Sequence, residues 1–187
     1  MKAAIGDQDP TTWLFVAFGL GTAMRHSEIL RARWDEIDFD TRRLYIKRAK
    51  AGQRVQPMTT TLVDMLAKER DQRDDQDGYI FPMTRKDAKA AHRQTMARQF
   101  ARAVKAAGMD PEKVTPHVMR HTAITALVLA GVDLPTVQKI SGHKTLGMVL
   151  RYAQIADPHI DRSIEALDAG FSDTITPELH TDAEQAA

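Results

Sequence analysis

The sequence contains no cysteine, which removes disulfides, thiolate metal sites and a thiol nucleophile together. It also lacks a long apolar run. The most apolar stretch, Trp13 to Leu20, is far too short to cross a bilayer, and no basic segment with an apolar core and cleavage site precedes it. A cytoplasmic protein with no membrane partner is therefore expected. Excess charge is missing too, since the formal net charge is only +1. That balance averages two unequal regions, because from Asp157 onward eight acidic residues face the single base Arg162, whereas the preceding residues carry 25 bases and 17 acids. A basic body joined to an acidic tail suits a polyanion binder, and it also suits a chain with a solvated terminus. Histidines are plentiful, but no carboxylate shares their local pattern, and His117 with His121 alone would make a weak metal site. No metal or cofactor is expected.

What is present fits one domain, since 187 residues bury a core without staples. Asp9 and Pro10 read as the cap and first turn of a helix whose Trp13, Leu14, Phe15, Val16, Phe18 and Leu20 leave no polar face, so it should be central and buried. Ser27 can cap a short helix after the turn that holds Arg25, and Glu28 can hold the Arg25 guanidinium. From Ile37 to Met58 the period changes to two: Leu44 and Ile46 alternate with Tyr45 and Lys47, Ala51-Gly52 turns, and Val55 begins a return strand. Lys50 lies at the tip of that hairpin. Thr60 to Arg70 is helical, and Tyr79 to Pro82 is a short extended piece. The segment Thr84 to Lys105 has seven bases against Asp87. On its helix Met96, Phe100, Ala103 and Val104 form the buried face, whereas Arg98, Arg102 and Lys105 make a stripe able to follow a phosphate backbone or simply to meet water. The fold class expected is mainly α with a small antiparallel β-sheet.

The stretch Thr115 to Tyr152 holds most of the polar chemistry. Thr115 and Pro116 start a helix on which His117 and Arg120, three apart, project together near the positive N-terminal end, an arrangement that suits phosphate. Ile124, Leu127 and Val128 face the core, and Gly131 ends the helix in a left-handed turn. Asp133 caps a second helix carrying Leu134, Val137 and Ile140 until Ser141-Gly142 stops it, so His143 sits just past a helix end. A third short helix from near Thr145 carries Met148 to Tyr152. Singly, each of these polar residues is more often structural than catalytic. Their joint order carries the inference.

His117-x-x-Arg120-His121, then Gly142-His143, then Arg151-Tyr152 resembles the signature box of the tyrosine recombinases, the family that includes phage integrases, Cre and the bacterial chromosome-dimer resolvases. Upstream, Thr22-Ala23-Met24-Arg25-His26-Ser27-Glu28 looks like the family's first box, T-G-x-R-x-x-E, with Ala23 where glycine is common, and Ala49-Lys50-Ala51-Gly52 looks like its T-K-x-G hairpin tip. The resemblance implies a tyrosine recombinase catalytic domain over residues 1–170, without the N-terminal core-binding domain of most integrases, and a disordered acidic tail over 171–187. This chain alone should then bind DNA weakly and with little specificity. The implied partner is double-stranded DNA at recombination sites of a phage or other mobile element, with a homotetramer on DNA and a monomer or weak oligomer without it.

The implied chemistry is transesterification at phosphorus. A phosphodiester gains negative charge as it is attacked, so two guanidiniums, those of Arg25 and Arg120, would clamp its non-bridging oxygens. A free tyrosine, with a pKa of about 10, is ionised to only about one part in a thousand at neutral pH, so Tyr152 as nucleophile needs that clamp and a base. By analogy His117 is the base or proton relay, His143 donates to a phosphate oxygen, Lys50 protonates the leaving 5′-hydroxyl, and His121 has a supporting role beside Glu28. The 3′-phosphotyrosyl product stores the backbone energy, so rejoining needs neither ATP nor metal. A type IB topoisomerase-like enzyme and a catalytically inactive DNA-binding module of the same fold are the alternatives.

Overall fold

The computed structural model describes residues 9–47, 52–73, 77–84 and 89–153. Helix α1 (Pro10–Thr22) runs through the centre. Asp9 caps it, accepting from the Thr12 backbone at 2.9 Å and from the Thr12 hydroxyl at 2.7 Å. It is less enclosed than its composition implies: Leu20 is 42% exposed and Trp13 half-buried. The helix ends at Ala23, a non-glycine residue in the left-handed region (φ 56°) whose N–H bonds the Gly19 carbonyl. This left-handed turn stands where the first box commonly has glycine.

Helix α2 (His26–Ile29) follows, capped by Arg25 and not by Ser27. The Glu28 carboxylate reaches back to the Arg25 backbone N–H at 3.2 Å, which starts the helix earlier than a Ser27 cap would allow. After a 3₁₀ turn at Trp34–Glu36 comes an antiparallel sheet of β1 (Ile37–Asp38), β2 (Arg43–Ile46) and β3 (Arg54–Pro57), in that order. Leu44 and Ile46 point inward while Tyr45 stays exposed, and the register sets Leu44 against Gln56 and Ile46 against Arg54. The wholly buried Gln56 donates to the Thr22 carbonyl at 2.9 Å, fastening the sheet to the end of α1.

Helix α3 (Thr60–Asp71) and helix α4 (Ala97–Ala106) pack on α1. Phe15, Phe18, Phe81 and Phe100 meet edge to face with ring centroids 5.9 to 6.4 Å apart. They centre the larger core, each buried ring contributing about 2 to 3 kcal/mol. Helix α5 (Pro116–Leu129) crosses α1 closely, and a Cβ at Gly19 would lie 2.9 Å from the Met119 side chain. Thr115 stands at its N-cap, but its side chain makes no capping bond; its carbonyl accepts from Val118 instead. Helix α6 (Leu134–Ser141), capped by Asp133, and helix α7 (Gly147–Leu150) complete the described fold. They build a second, smaller apolar cluster from Ala23, Ala123, Ile124, Val128, Val137, Val149 and the Tyr152 ring. Among the described residues no helix is long and apolar enough to cross a membrane. Lys50 and residues 154–187 lie outside the described residues.

Candidate functional site

Four helix ends and one strand converge on a cluster of cations. The C-terminus of a helix leaves carbonyls without partners and carries the negative end of its dipole. Two such ends, those of α1 and α6, face each other here. Arg120, on α5 and almost fully buried, donates through Nη1 to the carbonyls of Ala23 at 2.8 Å and Ser141 at 2.5 Å. Arg25 donates through Nη1 and Nη2 to the Gly142 carbonyl, both at 3.3 Å, and through Nη1 to Glu28 Oε1 at 3.3 Å. The two guanidiniums are thus held by successive carbonyls of one turn. Arg120 Nη2 is buried and has no hydrogen-bond partner among the described residues, a donor left over for an incoming anion.

A third guanidinium, absent from the sequence reading, joins them. Arg54 pairs with Glu28 through Nη2 to Oε2 at 2.8 Å and Nη1 to Oε1 at 3.2 Å. Burial would raise the Glu28 carboxyl, but Arg54 and then Arg25 outweigh it and hold it below its usual value. Two arginines, Arg25 and Arg54, therefore share one carboxylate, and its charge also reaches Arg120. Burial first, and then Arg25, lower the Arg120 pKa to about 10, which still leaves it charged at neutral pH.

His143 follows the left-handed Gly142 (φ 65°) and is buried. Its Nδ1 lies 2.7 Å from Ser141 Oγ. The Ser141 hydroxyl lies 2.6 Å from the Val137 carbonyl, which only accepts, so its proton goes there. Neutral His143 then carries its hydrogen on Nδ1 and presents a bare Nε2. Burial, followed by Arg120 and Arg25, lowers its pKa to about 4. In this state the ring accepts a proton, and it becomes a donor only when an anion raises its basicity.

Tyr152 is buried with its ring in the smaller cluster and the Arg151 guanidinium 5.3 Å from the ring centroid. Its hydroxyl lies 2.6 Å from His121 Nδ1. The His121 pKa is lowered by burial, then by Arg151 and His117, so the imidazole is neutral and able to accept from the phenol. His117 instead packs its ring on His26, centroids 4.9 Å apart at 86°. His26 Nδ1 is buried with no partner among the described residues, and burial followed by His117 lowers its pKa. The second box thus sets His121, one turn further along α5, on the phenol that His117 was expected to serve.

Arg25, Glu28, Arg120, His121, His143 and Tyr152 are brought into one connected site. Arg98, Arg102 and Lys105 are exposed on α4, opposite Phe100, Ala103 and Val104. Arg54 and His26 escaped the sequence reading. A signal for Arg54 existed: with Leu44 and Ile46 inward, their antiparallel partners Gln56 and Arg54 must also face inward, and an arginine there needs a buried acid. Among the described residues no group of three or more histidine or acidic side chains is placed to hold a metal.

The sequence matches the phage integrase family over residues 2–159. The chain belongs to the phage integrase family. It is 27% identical over 154 residues to the tyrosine recombinase XerA of Pyrococcus furiosus, covering 81% of this chain and 53% of that protein. It is 27% identical over 183 residues to the integrase of Salmonella phage P22, covering 89% of this chain and 45% of that one. The chain therefore spans about half the length of these relatives. A XerA recombinase crystal structure superposes with a TM-score of 0.69 at 23% identity, covering 92% of this chain and 61% of that one. The catalytic domain of bacteriophage HP1 integrase gives 0.61 at 23% identity, over 87% and 86% of the two chains. The helical fold with its three-stranded sheet is thus that of phage integrase family catalytic domains.

Proposed function

We propose that residues 1–170 act as the catalytic domain of a site-specific DNA recombinase, cutting and rejoining DNA through a 3′-phosphotyrosyl intermediate. One observation carries this reading: a tyrosine hydroxyl bonded to a neutral imidazole stands beside an arginine cluster with one carboxylate and a buried unpartnered donor. That combination suits attack of a phenol on a phosphodiester. The scissile phosphate occupies the space before Arg25 and Arg120 and takes the free Nη2. Its charge makes His143 more basic, so that Nε2 gains a proton and donates to a phosphate oxygen.

Tyr152 Oη then attacks phosphorus as His121 takes its proton, a reading supported by the 2.6 Å between that oxygen and His121 Nδ1. The P–O bond to the 5′ oxygen breaks, and Lys50 protonates that leaving oxygen. Attack by a second strand's 5′-hydroxyl reverses the chemistry and restores the phenol. The α4 stripe of Arg98, Arg102 and Lys105 follows the duplex backbone. Two of the solved neighbours bind DNA by name, the Tn1549 transposon integrase with its right-end DNA and XerH with its difH substrate; both support a duplex substrate. Exchange between two duplexes requires four copies of the chain, acting in the cytoplasm where the DNA lies.

The test is a nicked duplex carrying the element's own attachment site, with wild type and Tyr152→Phe compared for a covalent adduct on a denaturing gel. A wild-type adduct that vanishes in the variant is expected. DNA binding with no adduct from either would instead support an inactive binding module. Relaxation of supercoiled plasmid without strand exchange would support the topoisomerase-like alternative.

A further inference from the structure

Arg54 makes no hydrogen bond to Tyr152 or Arg120 among the described residues, yet it meets both groups that hold Arg25, the Glu28 carboxylate and the Gly142 turn. Each of its three nitrogens has a protein partner: Nε donates to Gln56 Oε1 at 3.3 Å, and Nη1 and Nη2 grip the two oxygens of Glu28. Glu28 in turn holds Arg25 at its backbone N–H and at Nη1. The guanidinium plane also lies against Gly142, where a Cβ would come within 2.7 Å of Arg54 Cζ. The carbonyl of that same glycine is the second anchor of Arg25.

We infer that Arg54 is a positioning residue for the transesterification, fixing Arg25 from both sides, through Glu28 and through the Gly142 turn. The role rests on the recombinase reading. Its chemistry is that of a buried acid shared by two guanidiniums. Without Arg54, Glu28 loses its better partner and is free to take both Nη groups of Arg25, drawing that guanidinium off the Gly142 carbonyl and away from the phosphate. The space left against Gly142 also loosens the turn that carries His143. A lysine in place of Arg54 keeps the charge but cannot grip two oxygens in a plane.

The test uses the nicked attachment-site duplex with wild type, Arg54→Met and Arg54→Lys, read as adduct rate at saturating DNA and as half-saturating DNA concentration. A parallel duplex carries a methylphosphonate at the scissile position, where one non-bridging oxygen and its charge are gone. Arg54→Met is expected to slow adduct formation about 10- to 100-fold with half-saturation shifted less than about 2-fold, and Arg54→Lys to recover only part of the rate. On the methylphosphonate duplex the penalty should shrink, because a neutral centre needs less of Arg25. An equal penalty on both duplexes would mean a general structural defect, and a loss confined to half-saturation would make Arg54 a DNA contact; either overturns the role. If Arg54→Met does not fold, Arg54→Lys carries the comparison of the two duplexes. A wild-type adduct undiminished in either variant overturns this role alone, whereas no wild-type adduct overturns the recombinase reading and this role with it.

Discussion

The two apolar clusters of this molecule are built on opposite rules. The larger one, around Phe15, Phe18, Phe81 and Phe100, is closed by aromatic edges and aliphatic side chains and contributes stability. The smaller one is made of alanines, short β-branched residues and a single tyrosine, and its rim is an array of helix-end carbonyls and guanidiniums. It contributes less burial and more placement. The difference shows how one domain separates holding itself together from holding reactive groups: the chemistry stands on the cluster with the smaller side chains, where polar groups reach one another's backbones.

Substitutions should divide along that line. Phe15→Ala removes a fully buried ring from the larger core, and unfolding in urea should show a loss of about 3 to 5 kcal/mol together with all activity. Gly142→Ala, at the rim of the smaller cluster, forces a side chain onto a left-handed residue and into Arg54. It should cost about 2 kcal/mol, and adduct formation should fall much further than that loss of stability accounts for. Equal losses in both measurements would erase the distinction between the clusters.

The same contrast predicts a histidine-driven pH dependence at the polar rim. His143 is depressed to about 4, and His26 and His121 are lowered as well, in each case chiefly by burial. The unfolded chain binds protons at these positions from about pH 6.5 downward, while the folded chain does not until lower pH. The histidine contribution to stability should therefore fall as pH drops from about 7 towards 4 and level off below that, where Glu28, held below its usual value, begins a loss of its own. A His143→Gln variant should flatten part of that slope in urea melts at several pH values, whereas a slope unchanged by the substitution would place its origin elsewhere.

The smallest effects are expected at the seams. Ala23→Gly relieves a left-handed alanine at the end of α1 and should raise stability by no more than about 1 kcal/mol, offset by the lost Cβ contact in the smaller cluster. Tyr152→Phe should change the melting free energy by less than about 1 kcal/mol while abolishing the adduct, the cleanest separation of packing from chemistry that the molecule offers.

Much of this was legible along the chain. Asp9-Pro10 and Asp133 mark helix starts because a capping oxygen acts on its own next few residues, and Gly131 and Gly142 mark helix ends because only glycine takes a positive φ freely. The alternation of Leu44 and Ile46 places the sheet. Two local readings shifted for local reasons: Glu28 reaches back and moves the start of α2 ahead of Ser27, and Leu20 sits on a side of α1 that the described residues leave open. It lines an apolar groove of about 330 Å³ with Ala123, Ala126 and Leu127.

By itself the sequence determined which residue types were available and in what order, so that two arginines, a histidine pair, a Gly-His turn and a tyrosine could be named as one chemical set. The tertiary structure alone decided who touches whom. It set His121 and not His117 on the Tyr152 hydroxyl, brought Arg54 from the sheet to Glu28 across 26 positions, and aimed the carbonyl ends of α1 and α6 at two arginines. Capping and periodicity act within a few residues, whereas these contacts depend on how separate helices cross, and that is fixed only when the cores close.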